Sequence, residues 1–375
     1  MLTGNKGEWS EIYALFKLIS DGVLRKGDSG LCPADGEEYR ILRLFKKDKD
    51  GESIYELDGA KVCISRKERS KINTRSAFEK KAKELLREIK RKRAKSEHEQ
   101  GAFAVPSIET FMHDMLTCSI KAGSKNKTDL SVEILDHRTS QEDKRGFSIK
   151  SQLGGKSTLL NASGSNTAIR FDLECKSKEE VLKINEINTR FKIQDRVFAL
   201  DQLRREKKIK IHRSGPVEEC FLHNLTIIDD ALPDIISSVL WNGYAHKTKR
   251  MCDVSSLVSE ENPRNYPFDD LNVIYARKIK QLLVASALGM TAAHTWDGEY
   301  EATGGYIVVL KTGDVISYHF YDRAEFENYL FENTVIDSAA SGRHSYATVK
   351  EEHGSLFFDL CLLIRFNHSH PKLKN

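Results

Sequence analysis

Alternating apolar and polar positions predict two β-strands near the middle of the chain. In residues 127–135, and again in residues 146–154, apolar side chains occupy every second position, which is the period of a strand with one buried face. These apolar positions are Leu130, Val132, Ile134, Phe147 and Ile149. Because only a polar, charged connection separates the two segments, we expect the strands to pair with each other.

The rest of the chain predicts an α/β protein of the mixed α+β type. Apolar residues at helical spacing predict helices over residues 9–23, 77–97, 106–115, 178–187, 232–245, 270–288 and 324–332. Alternation predicts strand segments within residues 39–64, 167–173, 197–200, 208–212, 304–310, 314–321 and 356–366, with a turn at 46–51. The polar residues 255–265 predict a loop or a domain boundary. We therefore expect a core region in residues 1–255 and a C-terminal α+β region in residues 256–375.

Composition indicates a soluble, mildly basic protein. Hydrophobic residues make up 39% of the chain, and the net charge of +4 permits a polyanionic partner without requiring one. No apolar run of about 18 residues predicts a membrane span, and the polar start does not resemble a signal peptide. The seven cysteines are widely spaced and form no Cys-x-x-Cys pair, which favours reduced thiols over a zinc site. We expect a cytoplasmic protein.

Pairing the two central strands can bring an acid, a lysine and a hydroxyl together. Asp129 and Lys150 would lie side by side at one edge of the sheet, with Ser148 close to both. A carboxylate can hold a hard cation such as Mg²⁺ through oxygen, and a lysine can steer or deprotonate an attacking water, as in a Mg²⁺-dependent phosphodiesterase. The same residue types also occur on the solvated faces of ordinary hairpins, so this pattern alone does not establish a nuclease.

A polar strip follows the second strand and predicts contacts with nucleic acid. Its amides, hydroxyls and cations offer hydrogen-bond donors for phosphate oxygens and base edges. A small-residue loop at 338–346 presents an arginine, the commonest reader of guanine, although an incidental surface arginine is an equal alternative. The predicted DNA-binding residues are Ser151, Lys156, Ser157, Thr158, Asn161, Asn166, Arg343 and His344.

Two further features of the sequence are candidates for phosphate contacts. The segment Gly154-Gly-Lys-Ser157 does not form a nucleotide-binding phosphate loop, because that motif needs a glycine where this chain has Lys150. The basic run at residues 90–95 is either the solvated face of a helix or a contact to DNA phosphates.

Several blocks of the sequence, in the same order along the chain, resemble one enzyme family. They are Asn5-Lys-Gly-Glu-Trp-Ser-Glu, Gly146-Phe-Ser-Ile-Lys-Ser-Gln-Leu-Gly, Ser157-Thr-Leu-Leu-Asn-Ala, Trp296-Asp-Gly, Gly304-Gly-Tyr-Ile and Ser341-Gly-Arg-His. Together they resemble the HpaII-type family of type II restriction endonucleases over residues 4–366. The resemblance implies a PD-(D/E)XK nuclease core with a central mixed sheet flanked by helices. It also implies Mg²⁺-dependent cutting of double-stranded DNA at a short palindrome such as CCGG, which leaves 5'-phosphates.

The resemblance assigns catalytic residues. Asp129 matches the first acidic position of the superfamily pattern and Lys150 matches its lysine. Ser148 stands where the pattern has Asp or Glu, and a serine hydroxyl binds Mg²⁺ more weakly than a carboxylate. A second carboxylate is therefore expected from the first helix, where Gly7 to Glu11 resembles the Gly-x-x-x-Glu motif of many nucleases of this superfamily. Gln152 is expected to orient water or phosphate.

Glu11 is the expected second metal ligand beside Asp129, with Glu8 as the next choice. Acidic residues in a first helical turn can also simply complement the helix dipole. Glu133 is the weaker candidate, because four residues along a strand put it about 13 Å from Asp129. The backbone carbonyl of Ile149 completes the expected Mg²⁺ ligands.

The resemblance further implies partners. Symmetric cutting of a palindrome needs two active sites, so we expect a homodimer on double-stranded DNA and a cognate DNA methyltransferase in the same system. Two other functions remain open. One is a structure-selective repair nuclease with the same site, and the other is a catalytically inactive DNA-binding protein, which the serine at position 148 keeps possible.

Overall fold

The structure, a computed structural model, contains two compact units. It describes residues 1–28, 30–48, 50–92, 101–120, 128–136, 141–162, 165–319, 322–339 and 346–367. The first unit combines residues 1–157 with 300–329, and the second combines residues 158–299 with 330–375. This grouping differs from the expected division at residue 255, which stays a prediction about functional regions.

The first unit is built from a long first helix, a large sheet and three further helices, the last of them in part. Its helices are α1 (Lys6–Asp21), α2 (Arg75–Arg91), α3 (Pro106–Asp114) and most of α10 (Arg323–Asn333). Its strands are β1 (Val23–Gly27), β2 (Pro33–Asp48), β3 (Gly51–Asp58), β4 (Lys61–Arg66), β5 (Arg69–Thr74), β6 (Leu130–Asp136), β7 (Gln141–Ser151), β11 (Gly305–Val309) and β12 (Val315–His319).

The described strands of the first unit form one mixed sheet. Its order is β1-β12-β11-β7-β6-β2-β3-β4-β5, and β1 also pairs with β2, so that six strands form a closed ring of neighbours. Strand β7 lies between β6, to which it is antiparallel, and β11, to which it is parallel. The predicted pairing of the two central strands is confirmed, with Leu130 opposite Phe147. The mixed α+β class is likewise confirmed.

Helix α1 packs at the centre of the core of this unit. The side chain of Asn5 accepts a hydrogen bond from the amide of Glu8 at 3.0 Å, while the Glu8 carboxylate accepts one from the amide of Asn5 at 2.9 Å. This capping box fixes the start of the helix. The helix ends at Gly22, whose φ of 68° is a left-handed conformation that favours glycine. Because Trp9 and most other apolar residues of α1 are fully buried, the helix holds Glu11 in a defined place.

The second unit combines two small sheets with most of the helices. Its helices are α4 (Lys178–Leu182), continued by a 3-10 turn (Lys183–Glu186), α5 (Lys192–Arg205), α6 (Glu219–Ile228), α7 (Leu232–Ala245), α8 (Met251–Glu261) and α9 (Leu271–Leu288). Its strands are β8 (Thr158–Leu160), β9 (Ala168–Cys175), β10 (Ile209–Pro216), β13 (Thr334–Asp337), β14 (Val349–Glu352), β15 (Ser355–Cys361) and β16 (Leu363–Phe366). One sheet has the order β10-β9-β15-β14, and the other has the order β13-β16-β8.

Two predictions in the second unit were wrong. Residues 197–200, predicted as a strand, lie inside α5, whose buried apolar residues recur every three or four positions. They are Ile193, Val197 and Leu200. Residues 255–265, predicted as a loop or a domain boundary, are helical as far as Glu261, because α8 buries Val254 and Val258 and is capped only at Asn262, with a left-handed φ of 49°. In both places the burial of a helical face outweighs the local composition.

Two strand boundaries in the structure also differ from the predicted ones. The turn predicted at 46–51 begins later, because β2 continues to Asp48 and β3 begins at Gly51. Lys46 and Asp48 remain in the strand since each side chain finds an oppositely charged partner in the interior. The strand predicted over residues 356–366 is divided at Leu362, and its halves join different sheets.

Among the described helices, none combines the length and the apolar character needed to cross a bilayer. All seven cysteines are free thiols, as expected.

Candidate active site

The carboxylate of Asp129 is held beside β7, just before β6 begins. The amide of Asp129 donates a hydrogen bond to the carbonyl of Phe147 at 2.9 Å. Its Oδ2 accepts hydrogen bonds from the amide of Ile149 at 2.7 Å and from the hydroxyl of Ser148 at 3.1 Å. No described residue forms a hydrogen bond with Oδ1, so this oxygen is available to a ligand.

Glu11 brings a second carboxylate from α1. Its side chain is 17% exposed, and its Oε2 lies 3.5 Å from the Nζ atom of Lys46. Burial raises the pKa of Glu11 to about 7, against the opposing charge of Lys46 and with a further contribution from the like charge of Asp129. The effect of Asp129 means that the two carboxylates lie within electrostatic reach of each other.

Lys150 completes the charged cluster from the next-to-last residue of β7. Burial lowers the pKa of its ammonium group, while the carboxylates of Asp129 and Glu11 oppose that shift. The Nζ atom of Lys150 lies 5.1 Å from the ring centroid of Tyr306, within the range of a cation–π interaction. Tyr306 lies on β11 directly opposite Ser148. A lysine in this setting releases its proton more readily than one in water.

The backbone of β7 directs a third oxygen toward the same place. The amide of Gln152 donates to the carbonyl of Val309 on β11 at 2.9 Å, so even-numbered residues at this end of β7 point their backbone groups toward β11. The N–H and C=O groups of Ile149 therefore point the other way, toward β6 and Asp129. The hydrogen bond from Ile149 to Asp129 agrees with this direction.

These oxygens fit a hard divalent cation. Among the described residues, no three His, Cys, Asp or Glu side chains are arranged to hold a metal ion. Mg²⁺ does not require three, since proteins usually bind it through one or two carboxylates and leave its other positions to waters and substrate phosphates. Asp129 Oδ1, the Glu11 carboxylate and the Ile149 carbonyl would form such a donor set, and their role as ligands stays a prediction.

Comparison with known proteins identifies the family of this chain. The sequence matches the family described as HpaII restriction endonuclease over residues 5–366. It is also 36% identical, over 369 residues, to the type II restriction enzyme HpaII of Haemophilus parainfluenzae, covering 97% of this chain and 98% of that protein. The chain belongs to the HpaII family of type II restriction endonucleases. No solved structure matches it.

In this member of the HpaII family, the other predicted acids have structural partners. The Glu8 carboxylate closes the capping box of α1. Glu133 accepts a hydrogen bond from Arg43 Nη2 at 3.3 Å. Glu11, whose pKa the charge of Asp129 helps to raise, is the acid that remains as the second ligand, and its role at a metal stays a prediction.

The predicted catalytic serine and glutamine also have defined partners. Ser148 is buried and donates to Asp129, so its hydroxyl orients the carboxylate. The side-chain oxygen of Gln152 accepts a hydrogen bond from the amide of Lys311 at 3.3 Å, which ties the end of β7 to the residues after β11. A direct role of Gln152 toward water or phosphate stays a prediction.

The predicted DNA-binding residues that the structure describes are divided between the units, with Ser151, Lys156 and Ser157 in the first and Thr158, Asn161 and Asn166 in the second. In the first unit, Ser151 is buried and its hydroxyl donates to Ser10 Oγ at 2.8 Å. Lys156 and Asn161 are exposed, and three residues are partly buried: Ser157, Thr158 and Asn166. Arg343 and His344 lie outside the described residues. DNA contact by all of these residues stays a prediction.

Two residues of this member of the HpaII family were not singled out from the sequence. Lys46 lies beside Glu11, and Tyr306 lies beside Lys150. Lys46 lies in a charged run that is typical of a turn. Its spacing of two residues from Leu44, which is buried, nevertheless indicates a strand. Tyr306 lies in one of the blocks that carry the resemblance, but its neighbour Lys150 is distant in sequence.

Proposed function

We propose that this restriction endonuclease cleaves double-stranded DNA in a Mg²⁺-dependent reaction at a PD-(D/E)XK site. The observation that carries the proposal is the cluster of Asp129, Glu11 and Lys150, with Asp129 fixed by Ile149 and Ser148. A hairpin that carries the acid and the lysine, together with a glutamate from the first helix, is the arrangement that the family resemblance implies.

Asp129, Glu11 and the carbonyl of Ile149 would hold the cation. When bound there, Mg²⁺ supplies Lewis acidity, which polarises the scissile phosphate and lowers the pKa of a water molecule. The role of Asp129 depends on its fixed orientation, because the two hydrogen bonds that described residues donate to its carboxylate both end on Oδ2 and leave Oδ1 for a ligand.

Lys150 acts on a proton of the attacking water and on the negative charge that develops on the phosphate. Its lowered pKa allows Nζ to accept a proton from the attacking water or to donate a hydrogen bond to a phosphate oxygen. The water oxygen forms a bond to phosphorus in line with the departing 3'-oxygen. The phosphorus–3'-oxygen bond breaks, and protonation of that oxygen gives a 3'-hydroxyl and a 5'-phosphate.

The family resemblance makes CCGG the first sequence to test as the recognition site. Cutting both strands of a palindrome requires two copies of the site, so we propose that two chains act as a homodimer on DNA. A cognate methyltransferase would protect the DNA of the cell, and we place both enzymes in the cytoplasm.

The decisive experiment is digestion of unmethylated plasmid DNA with and without Mg²⁺, followed by mapping of the fragment ends. Uniform 5'-phosphate ends at one palindrome, formed only with the metal, are expected, and an Asp129→Ala protein serves as the inactive control. A smear or cuts at branched structures would indicate a structure-selective nuclease. Tight binding without cutting under any divalent metal would indicate an inactive DNA-binding protein.

A further inference from the structure

A buried lysine beside the site has no role in the mechanism above. Lys46 is 1% exposed, although lysine is almost never fully buried unless its charge is paired. It lies on β2, between Leu44 and Asp48 on the inward face of the strand. Its Nζ atom lies 3.5 Å from Glu11 Oε2 and donates a hydrogen bond to the carbonyl of Ile120 at 3.2 Å.

Lys46 joins two elements that are separate in sequence. Glu11 belongs to α1, whereas Ile120 lies in the segment that follows α3. Because the ammonium is enclosed, water and salt screen its attraction to Glu11 only weakly. The Glu11 side chain, which has several rotatable bonds, is thereby restricted to conformations that keep Oε2 near Lys46.

We propose that Lys46 is a positioning residue that holds the Glu11 carboxylate toward Asp129, so that the two acids are arranged for a divalent cation before it binds. The inference rests on the proposed role of Glu11 as a ligand. The charge of Lys46 also offsets part of the repulsion between the two carboxylates in the metal-free protein. Without the Lys46 ammonium, the Glu11 side chain would be free to rotate away from Asp129. A binding cation would then have to bring that side chain back.

The same strand contains a matched control. Asp48 and Arg66 form a second interior ion pair, with Arg66 Nη2 2.6 Å from Asp48 Oδ1 and Nη1 2.8 Å from Oδ2. Their side chains are 3% and 8% exposed, so this pair is as well enclosed as the pair of Lys46 and Glu11. Among the described residues, Arg66 donates hydrogen bonds to Asp48, Ser53 and Leu116, and to neither Glu11 nor Asp129. A substitution there tests loss of a buried cation that does not contact Glu11.

The first test compares Lys46→Met with Arg66→Met, because methionine is an unbranched apolar residue that can replace the stem of either side chain. Binding of Mn²⁺, which has similar oxygen ligands, is measured by electron paramagnetic resonance on the full chain without DNA. Thermal melting of each protein defines a temperature at which all remain folded. Both variants should melt at lower temperature, but only Lys46→Met should bind Mn²⁺ about 10- to 100-fold more weakly, as is typical for loss of a residue that supports a ligand.

A double-mutant cycle covers the case in which Lys46→Met does not fold. Replacing a buried ion pair as a whole is much better tolerated than removing one partner, so Lys46→Met/Glu11→Gln should fold. If Lys46 acts through Glu11, the double variant should bind Mn²⁺ as weakly as Glu11→Gln alone. A double variant that binds clearly more weakly than Glu11→Gln would overturn the inference.

The outcomes also separate this inference from the proposed function. Equal Mn²⁺ affinity in Lys46→Met and the wild-type protein, or an equal loss in Arg66→Met, would overturn the role of Lys46 alone. A wild-type protein that neither binds Mn²⁺ nor cleaves DNA with Mg²⁺ would overturn the proposed active site, and the inference with it.

Discussion

The backbone amide of Ile149 donates a hydrogen bond of 2.7 Å to Oδ2 of Asp129, and this bond joins β7 to the residue just before β6. The donor is a main-chain group of β7, so the strand itself sets the direction of the acid. The hydroxyl of Ser148 adds a second bond to the same oxygen. The serine at this position thus helps to orient the first carboxylate, while we propose that Glu11 supplies the second.

Loss of the Ser148 hydroxyl should weaken cleavage without abolishing it. A hydrogen bond to a charged group contributes about 1.5–3 kcal/mol, and the bond from Ile149 remains in Ser148→Ala. The single-turnover cleavage rate at saturating DNA and Mg²⁺ should therefore fall about 10- to 100-fold. The cleavage rate of Asp129→Asn, which loses the charge of the carboxylate ligand, should fall much further. An unchanged rate in Ser148→Ala would show that its hydroxyl does not orient Asp129 during the reaction.

Replacing the lysine should separate binding from chemistry. Lys150→Ala removes the group that acts on the attacking water or on the developing phosphate charge, a contribution of about 10²- to 10⁴-fold. Binding of a cognate duplex, measured by gel shift without Mg²⁺, should remain close to that of the wild-type protein. Cleavage at an undiminished rate would remove Lys150 from the mechanism.

The aromatic ring of Tyr306, which contacts Lys150, should matter more for the cleavage rate than the hydroxyl of Tyr306. The Nζ atom of Lys150 lies 5.1 Å from the Tyr306 centroid, and cation–π contacts contribute about 0.5–2 kcal/mol. Tyr306→Phe keeps the ring, so its cleavage rate at saturating DNA should stay within about two-fold of the wild-type rate. Tyr306→Leu loses the ring and should cleave several-fold more slowly at an unchanged Mg²⁺ requirement. Equal rates for the two variants would argue against the contact.

The sequence was sufficient for the parts of the site that depend on local pairing. The alternation around Leu130 and Phe147 predicted the hairpin, and the hairpin alone brings Asp129 beside Ser148. The helix that holds Glu11 followed from its apolar spacing. The expectation that Glu11 reaches Asp129 came from family resemblance, since spacing along one chain does not determine which helix packs against which strand.

The missed features depend on contacts between residues far apart in sequence. Lys46 looked like part of a turn because isolated lysines and aspartates prefer solvent, and only partners 35 and 18 residues away explain its burial and that of Asp48. The helix over residues 197–200 was missed for a related reason. Its short apolar run also suits a strand, and only the buried face shared by Ile193 and Leu200 decides between the two.

The pair of Asp48 and Arg66 should make stability depend on pH. Burial alone would raise the pKa of Asp48, but hydrogen bonds from Arg66 and from the amide of Asp50 outweigh it and hold the pKa below its usual value. A carboxyl group with a lowered pKa stabilises the fold at pH values above its unfolded pKa of about 3.9. That stabilisation is lost as the pH falls through the lower pKa of the folded protein.

Arg66→Met should therefore be most damaging at neutral pH. It leaves the Asp48 charge buried without its cation, which costs about 3–5 kcal/mol in the free energy of unfolding. Protonation of Asp48 relieves that charge, so the difference from the wild-type protein should shrink between neutral pH and about pH 4. A smaller remainder should persist, because Arg66 also donates hydrogen bonds to Ser53 and to the carbonyl of Leu116. Urea unfolding of both proteins across this range measures the difference, and a value independent of pH would mean that Asp48 does not titrate with the pair.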